Sequence, residues 1–133
     1  MEEFKIKSSQ VSKEGDAEKI LVNFLREYFP KSDIDSQHKL GGYIGHIIDV
    51  DIDKRYGIEL KLANSLYKSA ANIQRLIGQL FYYKKTYGDN LFLFIIGPKE
   101  LQKEPMIKEL MNLVEEDLGI ELYYIKFSGN KKK

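Results

Sequence analysis

Residues 44–62 read IGHIIDVDIDKRYGIELKL, and this stretch decides the fold. Apolar residues alternate with charged residues both before and after the polar segment 54–57. An alternation of period two is typical of a β-strand with one buried face. The stretch therefore predicts a β-hairpin, with one strand from about Ile44 to Asp53 and a second over Ile58–Leu62.

Helices and strands are also predicted on both sides of this hairpin, from helical spacing, apolar runs and Pro or Gly punctuation. In chain order they are a helix over 16–29 capped by Asp16, a weak strand over 34–40, the hairpin, a helix over 69–87, a buried strand over 91–96, a helix from Pro105 to Leu118 and a strand over 120–127. The order α, β, β, β, α, β, α, β predicts an α/β domain with a mixed β-sheet flanked by helices.

Length and composition predict one domain over residues 1–133, because 133 residues with 43% apolar content can bury a single core. We expect residues 1–14 to form a flexible lead-in before the first helix. Residues 129–133 form a basic tail, which we expect to be disordered.

Charge and cysteine content restrict the classes of function. Lysine and arginine number 21 against 20 acidic residues, so contacts with nucleic acid must come from local patches. Without cysteine, disulfides, thiolate metal sites and cysteine nucleophiles are excluded. No apolar run reaches the roughly 18 residues of a membrane span. We expect a soluble cytoplasmic protein that does not bind membranes.

The hairpin concentrates the charged residues that suggest chemistry. Strand periodicity places Asp49 and Asp51 on one face, and Glu59 with Lys61 on the neighbouring strand. A turn centred near Arg55 would set Asp51 opposite Glu59 and Asp49 opposite Lys61. Clustered carboxylates repel one another unless a cation compensates, which favours a Mg²⁺ or Mn²⁺ site. The alternative is a solvated face of an exposed hairpin.

Asp49 followed by the run Gly57–Ala63 resembles the D…ExK signature of the PD-(D/E)XK nuclease superfamily, although Ile48 stands where that signature often has proline. The resemblance covers about residues 16–97. It implies a restriction-endonuclease-like αβββαβ core with an added C-terminal helix and strand, and metal-dependent hydrolysis of phosphodiester bonds, in DNA, by Asp49, Glu59 and Lys61. Asp49 has the commoner spacing to Glu59, while Asp51 has the better idealised cross-strand position and is kept as a second ligand.

Gln79 and Tyr83 resemble the QxxxY feature of the RecB-like branch of that superfamily. This implies that Gln79 approaches the metal site or a substrate phosphate and that Tyr83 contacts nucleic acid. Glu18 resembles a helix glutamate of archaeal junction resolvases, although a first-turn acid is also favoured by the helix dipole alone. The candidate metal-ligating residues are therefore Asp49, Asp51, Glu59, Leu60 and Glu18.

Basic residues outside the hairpin strands are candidates for backbone contacts with DNA, or simply solubilising surface residues. They are Lys54, Arg55, Arg75, Lys84 and Lys85. The last strand, Leu122–Phe127, is a candidate homodimer interface. The leading hypothesis is a Mg²⁺-dependent deoxyribonuclease of DNA repair or recombination. The alternative is a catalytically inactive nuclease-fold module for nucleic-acid binding or protein assembly, and an unrelated α/β interaction protein is a third hypothesis.

Overall fold

The computed structural model describes residues 4–41 and 46–128. This part of the chain contains one five-stranded mixed sheet whose strands lie in sequence order. The strands are β1 (Ile34–Lys39), β2 (Ile47–Ile52), β3 (Tyr56–Leu62), β4 (Leu91–Gly97) and β5 (Glu121–Lys126). The first three strands form an antiparallel meander, and β4 and β5 then run parallel to β3.

Helices occupy both faces of the sheet. They are α1 (Glu14–Tyr28), α2 (Ala63–Leu66), α3 (Ala70–Tyr87), α4 (Lys99–Gln102) and α5 (Pro105–Asn112), with α5 continuing into a π-helical turn, Leu113–Asp117. Short 3₁₀ turns lie at Ser8–Gln10 and Gly88–Asn90. None of the helices in the described ranges is both long and apolar enough to cross a bilayer.

Two hydrophobic cores lie on the two sides of the sheet. On one side α1 packs Leu21 and Leu25 against Val50 and Ile58. On the other side the core contains the apolar stripes of α3 and α5 together with Ile48 and alternate residues of β4. The predicted α/β class is confirmed, and the order α1, β1, β2, β3, α3, β4, with α5 and β5 added, is the αβββαβ order that the resemblance implies.

Gly57 allows the end of α3 to approach the hairpin closely. A Cβ atom at this position would lie 2.7 Å from the ring of Tyr87 and 2.8 Å from Cδ1 of Ile48, closer than carbon atoms pack. Close packing of Tyr87 and Ile48 against the hairpin therefore requires glycine at this position.

Residues 4–13, the described part of the predicted flexible lead-in over residues 1–14, pack against the domain, while residues 1–3 lie outside the described residues. Ile6 is fully buried in the core beside α1, and Lys7 pairs with Ser128 next to β5. The first helix also begins at Glu14 rather than at Asp16. The predicted N-cap is therefore wrong: Lys13 is the N-cap, and Asp16 is the third helical residue, whose carboxylate accepts hydrogen bonds from the main chain of Ser12 and Lys13 as in a capping box. The predicted basic tail, 129–133, lies outside the described residues.

The register of the hairpin also differs from the prediction. Asp51 lies opposite Gly57 rather than opposite Glu59. The turn is centred one residue earlier than predicted, because Asp53 and Lys54 both adopt positive φ angles of 57° and 55° and close the hairpin tightly. As a result, Asp49 is level with Glu59.

Candidate active site

Asp49 lies where the regular pairing of β2 with β3 ends. That pairing runs from Ile52–Tyr56 to Val50–Ile58. Beyond it, side chains replace the main-chain ladder: Leu60 N donates to Asp49 Oδ2 at 2.9 Å, and Asp49 N donates to Glu59 Oε1 at 3.4 Å. Ile48 and Val50, on either side of Asp49, enter different cores. The strand is therefore twisted at Asp49, and the two carboxylates are brought together.

Asp49 and Glu59 both lie in an environment that disfavours an ionised carboxylate. Glu59 is 2% exposed, and burial, followed by repulsion from Asp49, raises its pKa well above the ordinary value. Burial also raises the pKa of Asp49, against the lowering effect of the hydrogen bond from Leu60 N. A buried carboxylate whose negative charge is not fully compensated destabilises the fold, so this pair of acids lowers the free energy of unfolding.

Lys61 supplies the nearest cation. Its Nζ lies 3.7 Å from Glu59 Oε2 and 3.9 Å from Glu14 Oε1. The other oxygen of Glu14 accepts from Leu62 N at 3.2 Å and from Ser65 Oγ at 3.1 Å. Glu14 thus fixes the first turn of α1 to the end of β3 and holds the ammonium group beside the acids.

Glu18, one helical turn after Glu14, is connected to Asp49 by Gln37. Gln37 Nε2 donates to Glu18 Oε1 at 2.6 Å and to Asp49 Oδ1 at 3.2 Å. Burial, together with the charge of Asp49, raises the pKa of Glu18, so the two acids are electrostatically coupled. This placement favours the site interpretation of Glu18 over that of an ordinary first-turn acid.

Asp51 lies outside this group, which corrects its assignment as a second metal ligand. It is 2% exposed, and both of its oxygens are already engaged. Lys54 N donates to Oδ1 at 2.8 Å, and the hydroxyl of Tyr87 donates to Oδ2 at 2.5 Å. His38 Nε2 lies 3.8 Å away. The one-residue shift of the turn explains the difference, since it moves Asp51 level with Gly57 and under the end of α3.

Replacing Tyr87 with Phe tests this structural role of Asp51. The variant leaves a buried carboxylate without its hydroxyl donor, and we expect the free energy of unfolding to fall by about 1–3 kcal/mol in urea denaturation at pH 7. Tyr123→Phe is the control, because Tyr123 bonds the exposed Glu121, and its effect should stay within about 0.5 kcal/mol. Equal stability of Tyr87→Phe and the parent protein would contradict the assignment.

Gln79 and Tyr83 lie one turn apart on α3, but their environments differ from the predicted ones. Tyr83 is fully buried, and its hydroxyl donates to Ile47 O at 2.8 Å, so the prediction that it contacts nucleic acid is wrong. Burial, followed by the charges of Glu59 and Asp49, raises its pKa. Gln79 has a buried Oε1 for which no donor is found among the described residues. An unpaired buried acceptor on this face is available to a ligand or a water molecule.

Most of the predicted basic contacts lie far from the acids. Lys54 and Arg55 form the turn at the opposite end of β3 from Lys61, and six residues of strand span about 20 Å. Lys84 donates to Gly119 O at 2.7 Å, and Lys85 Nζ lies over the ring of the exposed Phe81, so neither ammonium group contacts the acids. Arg75 donates to Asn72 Oδ1 at 2.8 Å in the N-terminal half of α3, whereas the α3 residue that feels the charges of Glu59 and Asp49 is Tyr83, in the C-terminal half. A single basic patch around the acids is therefore not formed by these residues.

The donor set fits a hard divalent cation bound through few protein ligands. Within residues 4–41 and 46–128, no three acidic or histidine side chains form a ready metal cage. Mg²⁺ commonly uses one or two carboxylates and keeps several waters, so Asp49 and Glu59 with a main-chain oxygen suffice. The raised pKa values of both acids fit this interpretation, because a bound cation favours the ionised form of a carboxylate.

Sequence patterns missed two residues of this site. Glu14 falls in the predicted flexible lead-in. Its spacing of four residues from Glu18, which places both acids on one helix face, is nevertheless present in the sequence. Gln37 gave no pattern, because its role depends on a local backbone conformation and on contacts with residues 19 and 12 positions away.

The predicted dimer interface on the last strand stays a prediction. Tyr123 is 47% exposed on β5, which is an edge strand of the sheet.

No family description matches the chain, and no curated protein matches it. Among solved structures, XPF from Aeropyrum pernix is similar over 59% of this chain, with 21% identity and a TM-score of 0.47. The alignment spans 38% of that protein's chain.

Proposed function

We propose that this chain is a metal-dependent nuclease that hydrolyses phosphodiester bonds, with DNA as its substrate. The observation that supports this most is the convergence of Asp49, Glu59 and Lys61 where the hairpin pairing ends, with both acids carrying raised pKa values. Structural ion pairs normally lower the pKa of an acid, whereas functional sites maintain perturbed groups at an energetic cost. This difference argues against a merely solvated hairpin face.

In this proposal Asp49, Glu59 and the main-chain carbonyl of Leu60 hold Mg²⁺ or Mn²⁺. When bound, the ion supplies Lewis-acid chemistry at a phosphate oxygen. Lys61 keeps its ammonium group beside Glu59, where it can donate to a phosphate oxygen and neutralise the charge that develops on it. Glu14 positions Lys61 from the side of α1. Gln79 offers its free Oε1 as an acceptor that orients an attacking water molecule.

The alternative is a nuclease-fold module without catalysis that binds nucleic acid or a protein partner. It requires no metal ion, and no group of three acidic or histidine side chains that could hold one is found in the described ranges. Against it stands the energetic cost of two buried acids, which a pure binding module has no need to maintain. Calorimetric titration with Mn²⁺ separates the two hypotheses, because a module has no reason to bind the ion at Asp49 and Glu59.

The direct test is incubation of the purified protein with circular, linear, single-stranded and branched DNA, and with RNA, each with Mn²⁺ and with EDTA. We expect cleavage of at least one DNA form that requires Mn²⁺ and stops in EDTA. Absence of cleavage of every substrate, together with absence of Mn²⁺ binding, would overturn the proposal. Preferential cleavage of RNA would correct the substrate class and leave the chemistry in place.

A further inference from the structure

Gln37 has a backbone conformation that its residue type rarely adopts. Its φ is 53°, in the left-handed region that favours glycine. Ser36 and His38 on either side pair regularly with Val50 and Ile48 of β2, and the Gln37–Asp49 pair between them is skipped. The strand therefore departs from regular geometry at one residue, directly across from Asp49. Such a departure costs about 1 kcal/mol and persists where the surroundings impose it.

The side chain of Gln37 makes contacts that follow from this departure. One nitrogen, Nε2, donates to both Glu18 and Asp49, at 2.6 and 3.2 Å. Asp49 is thereby held from two directions, since its other oxygen accepts from Leu60 N. An amide that donates to two carboxylates places positive hydrogen atoms between two groups that otherwise repel each other.

We propose that Gln37 is a positioning residue of the active site, whose strained backbone serves to hold the Asp49 carboxylate against Leu60 N and to tie it to Glu18 on α1. This inference rests on the proposed function for its catalytic consequence, but the bridge itself does not. Residues that orient a metal ligand from outside typically change metal affinity or activity by about 10–100-fold when removed.

A purely structural role for Gln37 makes a different prediction from a positioning role. If the residue only stabilised the fold, activity would follow stability among its variants. Glycine accepts a positive φ without strain, while alanine keeps the strain, and both lack the amide. Gln37→Gly should therefore melt a few degrees above Gln37→Ala.

The decisive comparison uses Gln37→Gly, Gln37→Ala and Gln37→Asn, with Ser36→Gly as a matched control in ordinary strand geometry. We expect Gln37→Gly and Gln37→Ala to raise the Mn²⁺ concentration that gives half-maximal cleavage by the same factor, about 10–100-fold, although their melting temperatures differ. Gln37→Asn keeps the amide and tolerates a positive φ, but its side chain is one carbon shorter. We therefore expect it to restore the normal Mn²⁺ dependence only in part. Ser36→Gly should lose stability and keep its Mn²⁺ dependence. Recovery of normal Mn²⁺ dependence in Gln37→Gly would overturn the proposal.

A second measurement needs neither metal nor DNA. The side-chain amide resonance of Gln37 in a ¹⁵N–¹H spectrum should shift in Glu18→Gln and in Asp49→Asn, and stay in place in Glu109→Gln, an exposed acid of α5. An unshifted resonance in both site variants would show that the bridge does not exist. A shifted resonance in a protein that cleaves nothing would overturn the proposed function alone.

Discussion

Replacing Glu59 with Gln is expected to reduce Mn²⁺-dependent cleavage by about 10³-fold or more, with the fold intact. The change keeps the shape of the side chain and removes the charge that attracts a cation, and losses of this size accompany removal of a charged or hydrogen-bonding group of an active site. Lys61→Met should cause a comparable loss, because it removes the only cation within 4.0 Å of Glu59 among the described residues.

Effects of Glu59 and Lys61 are also expected to be non-additive. Groups that act as one unit lose their combined effect when either is removed, so the double variant should be little worse than the single ones. Glu109→Gln and Lys108→Met, both exposed on α5, are the matched controls and should cleave like the parent protein. Steady-state cleavage rates at saturating Mn²⁺ give the comparison. Parent-like rates in Glu59→Gln would remove Glu59 from the mechanism.

The fold followed closely from local patterns, because apolar periodicity and Gly or Pro punctuation reflect the burial that actually drives each element. The proximity of Asp49, Glu59 and Lys61 also followed from the sequence, since residues on adjacent strands approach each other wherever the hairpin forms. The predicted pairing of Asp49 with Lys61 was wrong, because the observed register puts Asp49 level with Glu59. The predicted position of Asp51, opposite Glu59, was wrong. Its predicted partner depended on the centre of a turn, and two non-glycine residues with positive φ shifted that centre.

Tyr83 shows a second limit of sequence reasoning. Helical spacing places it beside Gln79, but spacing does not tell a face that reaches a substrate from one that fills a core. Its ring is completely buried, and only its hydroxyl bonds a main-chain oxygen of β2. Glu14 and Gln37 show a third limit, because both act through contacts between distant segments that depend on how α1 docks on the sheet.

Stability should depend on pH in a way that identifies Glu59. Its pKa is raised in the folded protein, above the ordinary value of 4.5. The folded state therefore binds this proton more tightly than the unfolded state does, and folding is most favoured when Glu59 is protonated. The contribution is fully present below about pH 4.5 and is lost as pH rises through the raised pKa of the folded state.

Glu59→Gln removes this dependence. In EDTA at pH 7 the variant should be more stable than the parent protein by roughly 1–2 kcal/mol, since relief of a destabilised active site commonly gives a gain of this size. The difference in melting temperature should shrink as pH falls toward 4.5, because the parent side chain then becomes neutral as well. Subtracting the two pH profiles cancels the other titrating groups that both proteins share.

Saturating Mn²⁺ should reverse the order of the two proteins at pH 7. The ion binds the parent protein and needs the deprotonated carboxylate, so it stabilises the folded state by mass action, and at about 100 times its dissociation constant the gain is about 2.7 kcal/mol. Glu59→Gln lacks the charge and should gain little. Melting curves of both proteins in EDTA and in Mn²⁺, at pH 5 and pH 7, distinguish the possibilities. A parent protein that is the more stable of the two in EDTA at pH 7 would mean that Glu59 is a stabilising ion-pair partner of Lys61 rather than a destabilising buried acid.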